Sequence, residues 1–214
     1  MIIFYMIVLF FVVGIYLEIR EAIEYRDYFK LFGYGLFSLV VVSFIAYTSY
    51  NNYYKNSIIS KFDNHISSYL SMPIKYNNYP FSKSPSSKII IINKNFKQVS
   101  GLHFDLLENR KALVPSDVDI IVWLDYKQEY YANYQRKRKK YKTKRTIEDG
   151  TDGYIEYCNV TVIDQNSNSI ISSKLFSGIP KDEISYSSRR GSKPPKKRVF
   201  QVSNASILNY VTSF

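Results

Sequence analysis

"VDIIVWLDY", residues 118–126, holds an unbroken apolar run from Ile120 to Leu124 between two aspartates. Five apolar residues in succession, rich in β-branched types, fit a short strand covered on both faces. Downstream, "QEYYANY" (128–134) reads as a separate strand able to pair with it. "GYIEYCNVTVID" (153–164) alternates from Cys158, with Cys158, Val160 and Val162 on one face and Asn159 and Thr161 on the other. The polar turn "QNSN" then leads into "SIISSKLFSG" (169–178), the second arm of a hairpin. Upstream, "KIIIIN" (88–93) is a further β-branched run. The chain closes with "SNASILNYVTSF" (203–214), in which Ser or Asn caps a short helix bearing Ile207, Leu208 and Val211 on one side. Short connections favour antiparallel pairing, because a parallel crossover needs a dozen or more residues. The expected fold class is α+β, a small antiparallel sheet with the C-terminal helix on one face.

The N-terminal quarter has a different character. Residues 1–17 and 31–50 are uncharged and lack a polar face, whereas 18–30 carry seven charged residues. A helix of roughly 17 to 25 apolar residues spans a bilayer core, so these runs predict a two-helix transmembrane hairpin over 1–50. No basic leader or small-residue cleavage site marks the first run as a removable signal. Arg20, Arg26 and Lys30 in the connection outnumber Lys55 and Lys61 beyond the second run. That balance sets the connection in the cytoplasm and the remaining chain on the outer side of a plasma membrane. Ile58, Ile59, Phe62, Ile66, Tyr69 and Leu70 recur at helical spacing, giving an amphipathic stalk. With the Ser/Pro-rich stretch 71–88 it makes a connecting segment over 51–87, and the α+β domain then occupies 88–214.

"LHFDL" (102–106), "VDIIVWL" (118–124), "YCNVTVID" (157–164), "FSG" (176–178) and "GSKP" (191–194) together resemble an uncharacterised bacterial domain family. In that family an "FDLP" element, a "VVWL" strand and a "C-VTVID" strand precede an "F-G" turn and a late "G-KP" segment. The resemblance covers about residues 88–214 and implies a fold and a bacterial origin, with no activity attached. Leu107 stands where the pattern has proline, and residues 135–151 are longer and more basic than the usual connection.

From Asn51 onward, 26 Lys and Arg face 14 Asp and Glu. Two acid-free stretches supply the whole excess. The first holds Arg136, Lys137, Arg138, Lys139, Lys140, Lys142, Lys144 and Arg145; the second holds Arg189, Arg190, Lys193, Lys196, Lys197 and Arg198. If 128–134 and 153–164 are adjacent arms, the first stretch joins them at one end of the sheet, and the second returns to the same end. Fourteen cations on one rim would attract a polyanion. Anionic lipid headgroups or an envelope polymer are the expected partners; the alternative is that both stretches are solvated loops with no ligand. Nucleic acid is set aside, because no helix-turn-helix, RNP-type strand or finger spacing occurs and an anchor holds the domain beside a bilayer.

Catalytic signals are sparse. No phosphate loop, dinucleotide turn, zinc-protease helix or nucleophile elbow is present. His65 and His103 stand apart, and Cys158 lies mid-strand as a small buried hydrophobe. With two His and one Cys, no His/Cys metal site is expected. Asp105 and Glu108 fit turn or helix caps. No cofactor is implied. The reading is a non-enzymatic binding or scaffolding protein. Its rivals are an enzyme with an unfamiliar site, which would require a deep polar pocket, and an accessory subunit acting through its N-terminal hairpin.

Overall fold

The computed structural model describes residues 14, 16–17, 19–20, 23–24, 28–75, 86–134, 151–181 and 197–214. The chain divides into two units, Met1–Ser57 and Ile58–Phe214. Six strands form one sheet in the second unit: β1 (Ile89–Asn93), β2 (Gln98–Val99), β3 (Ile120–Tyr134), β4 (Thr151–Asp164), β5 (Ser169–Ser177) and β6 (Lys197–Phe200). Their order is β2-β1-β3-β4-β5, with β6 also paired to β4.

The sheet is mixed, not antiparallel as expected. β1 runs parallel to β3, with Ile89 opposite Ile120 and Asn93 opposite Leu124. β6 runs parallel to β4, from Asp152–Lys197 to Ile155–Phe200. Residues 94–119 supply the length that the first parallel return requires, carrying β2 and the 3-10 turns Gly101–Asp105 and Pro115–Asp117. The two strands expected over 118–126 and 128–134 are one, β3, which pairs with β4 from Ile120–Asp164 to Tyr134–Thr151. Its first five residues are buried and most of the remainder is exposed. The shift from apolar to polar sequence therefore marks where the strand leaves the core, and no turn occurs there.

Both faces of the inner half are covered. Ile89, Ile91, Ile120, Val122, Leu124, Cys158, Val160 and Val162 cluster with Leu102, Leu106, Val202, Ile207 and Val211. The intervening Ile90, Ile92, Ile121, Trp123 and Ile163 are buried too. The terminal helix (Asn204–Val211, numbered α2 after the long helix α1, Tyr28–Ser71) buries Ile207 and Val211 and is capped by Ser203, whose hydroxyl accepts from Ser206 N. Tight turns are fixed by side chains. Asn93 Oδ1 accepts from the amides of Asn95 and Phe96 after β1, and Asp164 holds Asn166 N and the Ser167 hydroxyl after β4. Asn168, at φ 53°, occupies the left-handed region that asparagine tolerates.

The N-terminal helices do not match expectation. Among the described residues no helix is long and apolar enough to cross a membrane. Residues 31–50 do not end in a stop at Tyr50; they belong to the 44-residue α1. Within it the uncharged run over residues 31–46 is interrupted by Gly33, Gly35, Ser38 and Ser43. Tyr47, Thr48, Ser49, Tyr50, Asn51 and Asn52 follow directly. The first expected span, 1–17, lies outside the described residues apart from Gly14, Tyr16 and Leu17. The transmembrane hairpin, and with it the plasma-membrane location with an outward-facing domain, is withdrawn. The C-terminal part of α1 buries Ile58, Phe62, Ile66 and Tyr69 within the second unit, and the Tyr69 hydroxyl lies 3.4 Å from Pro115 O.

Candidate functional site

The β3–β4 ribbon projects beyond the core and ends at the Tyr134–Thr151 pair. One residue inward, Asp152 pairs with Lys197, the first residue of β6. The Tyr134 hydroxyl donates to Lys181 O, and its ring lies 6.0 Å from that of Phe200. Gly153 permits this packing, since a Cβ there would sit 2.4 Å from Tyr134 Cε2. The four chain ends at Tyr134, Thr151, Lys181 and Lys197 are thereby tied together. The first basic stretch leaves and re-enters between the first two, and the second lies between the last two. Of the fourteen basic residues only Lys197 and Arg198 are described, and both are exposed. Arg136, Lys137, Arg138, Lys139, Lys140, Lys142, Lys144, Arg145, Arg189, Arg190, Lys193 and Lys196 lie outside the described residues.

The edge of β4 changes partner near this end. β5 pairs with it as far as Tyr157–Ser177, Gly178 N donates to Glu156 O at 2.8 Å, and β6 takes over from Ile155. Gly178 passes so close to β6 that a Cβ would fall 1.8 Å from Phe200 O. Only glycine fits.

Side chains on one face of the ribbon form a series. The cross-strand pairs Tyr126–Cys158, Gln128–Glu156 and Tyr130–Tyr154 continue the core row outward. Tyr130 remains 58% exposed, and its ring meets that of Tyr154 edge to face at 5.8 Å. Lys197 donates to Gln128 Oε1 at 2.9 Å and sets its ammonium 4.4 Å from the Tyr154 ring centroid. None of these tyrosines was singled out from the sequence. Their alignment depends on the ribbon register, which alternation alone does not supply.

A cleft of about 680 Å³ opens beside this row, lined by Asn93, Asn95, Phe96, Ser100, Asp105, Tyr126, Gln128, Glu156, Gln201 and Asn204 among others. Several of its polar groups already have structural tasks. Asn95 accepts from Tyr126 N and donates to Tyr126 O, standing in for a strand partner where β1 has ended. Glu156 accepts from Val202 N, anchoring the entry to α2. Among the described residues its lining contains no His, Cys, Lys or Arg. Asp105 faces this cleft, whereas Glu108 pairs with Lys111 at 2.8 Å.

Cys158 and His103 are buried, and Tyr126 is half-buried at the cleft. Burial pushes the Cys158 thiol up to about 12, and burial with the adjacent thiol raises Tyr126 as well. His103 is fully buried, and desolvation lowers it to about 4, so the ring is neutral. Because a carbonyl can only accept, Nε2–H donates to Ala112 O at 3.0 Å, leaving Nδ1 unprotonated and without a hydrogen-bond partner. Among the described residues no group of three or more His, Cys, Asp or Glu is placed to hold a metal. No family model matches this chain, and neither a curated protein nor a solved structure matches it.

Proposed function

We propose that this chain is a non-enzymatic binding protein whose ligand is a polyanion. The observation that carries this reading is the convergence of Tyr134, Thr151, Lys181 and Lys197 at one end of the sheet. All fourteen clustered cations lie on, or immediately beside, segments that start and finish there. A concentrated positive field gains affinity by releasing counterions from a charged polymer, and it needs no shaped pocket. In the cleft Asn93, Asn95 and one oxygen of Glu156 hold chain segments, which leaves Asp105 and the second Glu156 oxygen to meet a ligand.

Inorganic polyphosphate is the direct probe, because it carries charge without rings or sugars. Binding by the full chain should weaken linearly in log K against log salt. Replacing the eight cations of 136–145 with serine should weaken binding and flatten that slope. Absence of binding at low salt, or a slope unchanged by the replacement, would end this reading. Vesicles containing phosphatidylserine form a parallel arm that separates a free polymer from headgroups presented on a surface.

A further inference from the structure

We infer that the polyanion is single-stranded nucleic acid, with Tyr130 and Tyr154 serving as a stacking platform for unpaired bases. This rests on the polyanion reading and adds the chemistry of the ligand's uncharged part. Four described side chains carry it: Tyr130, Tyr154, Lys197 and Gln128.

The core-facing row of the sheet is covered by the first 3-10 turn and α2 as far as Tyr126 and Cys158. Two pairs further out the same face carries a tyrosine on each strand. A cross-strand aromatic pair adds stability through its edge-to-face contact, but that does not require a ring 58% open to solvent. An exposed aromatic ring on a sheet face, next to fixed positive charge, is the arrangement that lets a base stack while its phosphate is neutralised. Lys197 provides that charge. It is held by Gln128 and by the Tyr154 ring, so its position is set before any ligand arrives. Arg198 follows it on β6, exposed and level with Gly153.

The neighbouring cleft sharpens the choice. Glu156 lies one cross-strand pair inward from Tyr154, and Asp105 lines the same hollow. Carboxylates there would repel phosphate or sulfate but accept a hydrogen bond from a ring or amino N–H of a neutral base, such as thymine N3–H. An evenly charged polymer gains nothing from such a surface. A ligand alternating charged linkage with uncharged ring does. Duplex is disfavoured, since its bases are already stacked and its faces hidden. The expected membrane anchor was the positional reason for setting nucleic acid aside, and it falls with the spans.

The test uses the full chain and fluorescence anisotropy. An oligothymidylate of about fifteen nucleotides, a length within the usual range of single-strand sites, is compared with polyphosphate of equal charge, with duplex and with heparin. The oligothymidylate should bind most tightly. Tyr130→Leu with Tyr154→Leu should weaken it roughly tenfold or more and leave polyphosphate unchanged. Tyr130→Trp should retain binding, and its indole emission should fall on adding the oligonucleotide; this variant also guards against misfolding of the double replacement. If oligonucleotide and polyphosphate bind alike and the tyrosine variants alter neither, stacking is wrong while the polyanion reading survives. If heparin binding depends on the tyrosines as strongly, the ligand is a polysaccharide and the nucleic-acid assignment is overturned. Failure of every polyanion removes both.

Discussion

The rings of Phe62 and His103 meet edge to face, 6.4 Å between centroids and 71° between planes. One belongs to α1 and the other to the first 3-10 turn, and both are fully buried. The contact joins the helix preceding the sheet to the crossover that makes the sheet mixed. It also encloses an imidazole that has one hydrogen bond and no route to solvent.

His103 should make stability sensitive to mild acid. Its folded pKa, about 4, lies below the usual value of 6.5, so the unfolded chain binds the extra proton between these limits. Stability should be undiminished above about pH 6.5 and decline as pH falls toward 4. The loss from this residue approaches about 3 kcal/mol. Urea unfolding from pH 7 to pH 4 measures it. His103→Gln keeps a donor near Ala112 O without a titrating ring, and its stability should change much less over that interval.

Phe62→Ala should destabilise the second unit by about 3–5 kcal/mol through lost burial and a residual cavity. Phe96, 72% exposed, provides the contrast: Phe96→Ala should fall within about 0.5 kcal/mol. Paired chemical denaturation of the two variants would show whether residues 58–71 belong energetically to the sheet domain. Equal effects would mean that they do not.

At Gly178 a single methyl group is the probe. Gly178→Ala places a carbon against Phe200 O, which is backbone and cannot swing aside. A loss of about 1–3 kcal/mol is expected. Hydrogen exchange should accelerate first in β6 and in the adjoining residues of β4, because those strands must separate to admit the new atom.

Cys158 should resist alkylation in the native state. It has no exposed surface, and burial raises its thiol pKa to about 12, so thiolate is scarce at neutral pH. Labelling by iodoacetamide should follow global unfolding and rise with urea along the same curve as far-ultraviolet circular dichroism. Rapid labelling without denaturant would contradict the packing of the Cys158–Tyr126 pair.

How far the sequence carries depends on which physical cue each element needs. Alternation around Cys158, Val160 and Val162 suffices to find β4, and Ser203 followed by Ile207 and Val211 suffices for α2. Both cues are local. The parallel neighbours of β3 and β4 are not, because they depend on how residues 94–119 and 178–196 travel between strands. β3 itself was divided because hydropathy reports burial, and burial ends at Leu124 while the hydrogen-bond ladder continues to Tyr134. Over residues 31–50 the absence of charge alone predicts a span, yet among the described residues no helix is long and apolar enough to cross a membrane. Of the site, the cation clusters are plain in the sequence. The tyrosine pair needs a register with a bulge between Tyr130 and Ala132, which composition cannot reveal.

The Tyr134–Thr151 pair and the Asp152–Lys197 pair close the ladder before most of the basic sequence begins. Chain inserted beyond that closure is charged only the entropy of a longer loop, about 0.6 kcal/mol for each doubling. The end of the ribbon therefore behaves as a socket. Sequence inserted between Tyr134 and Thr151, or between Lys181 and Lys197, should leave the pairing of the strands beneath it unchanged.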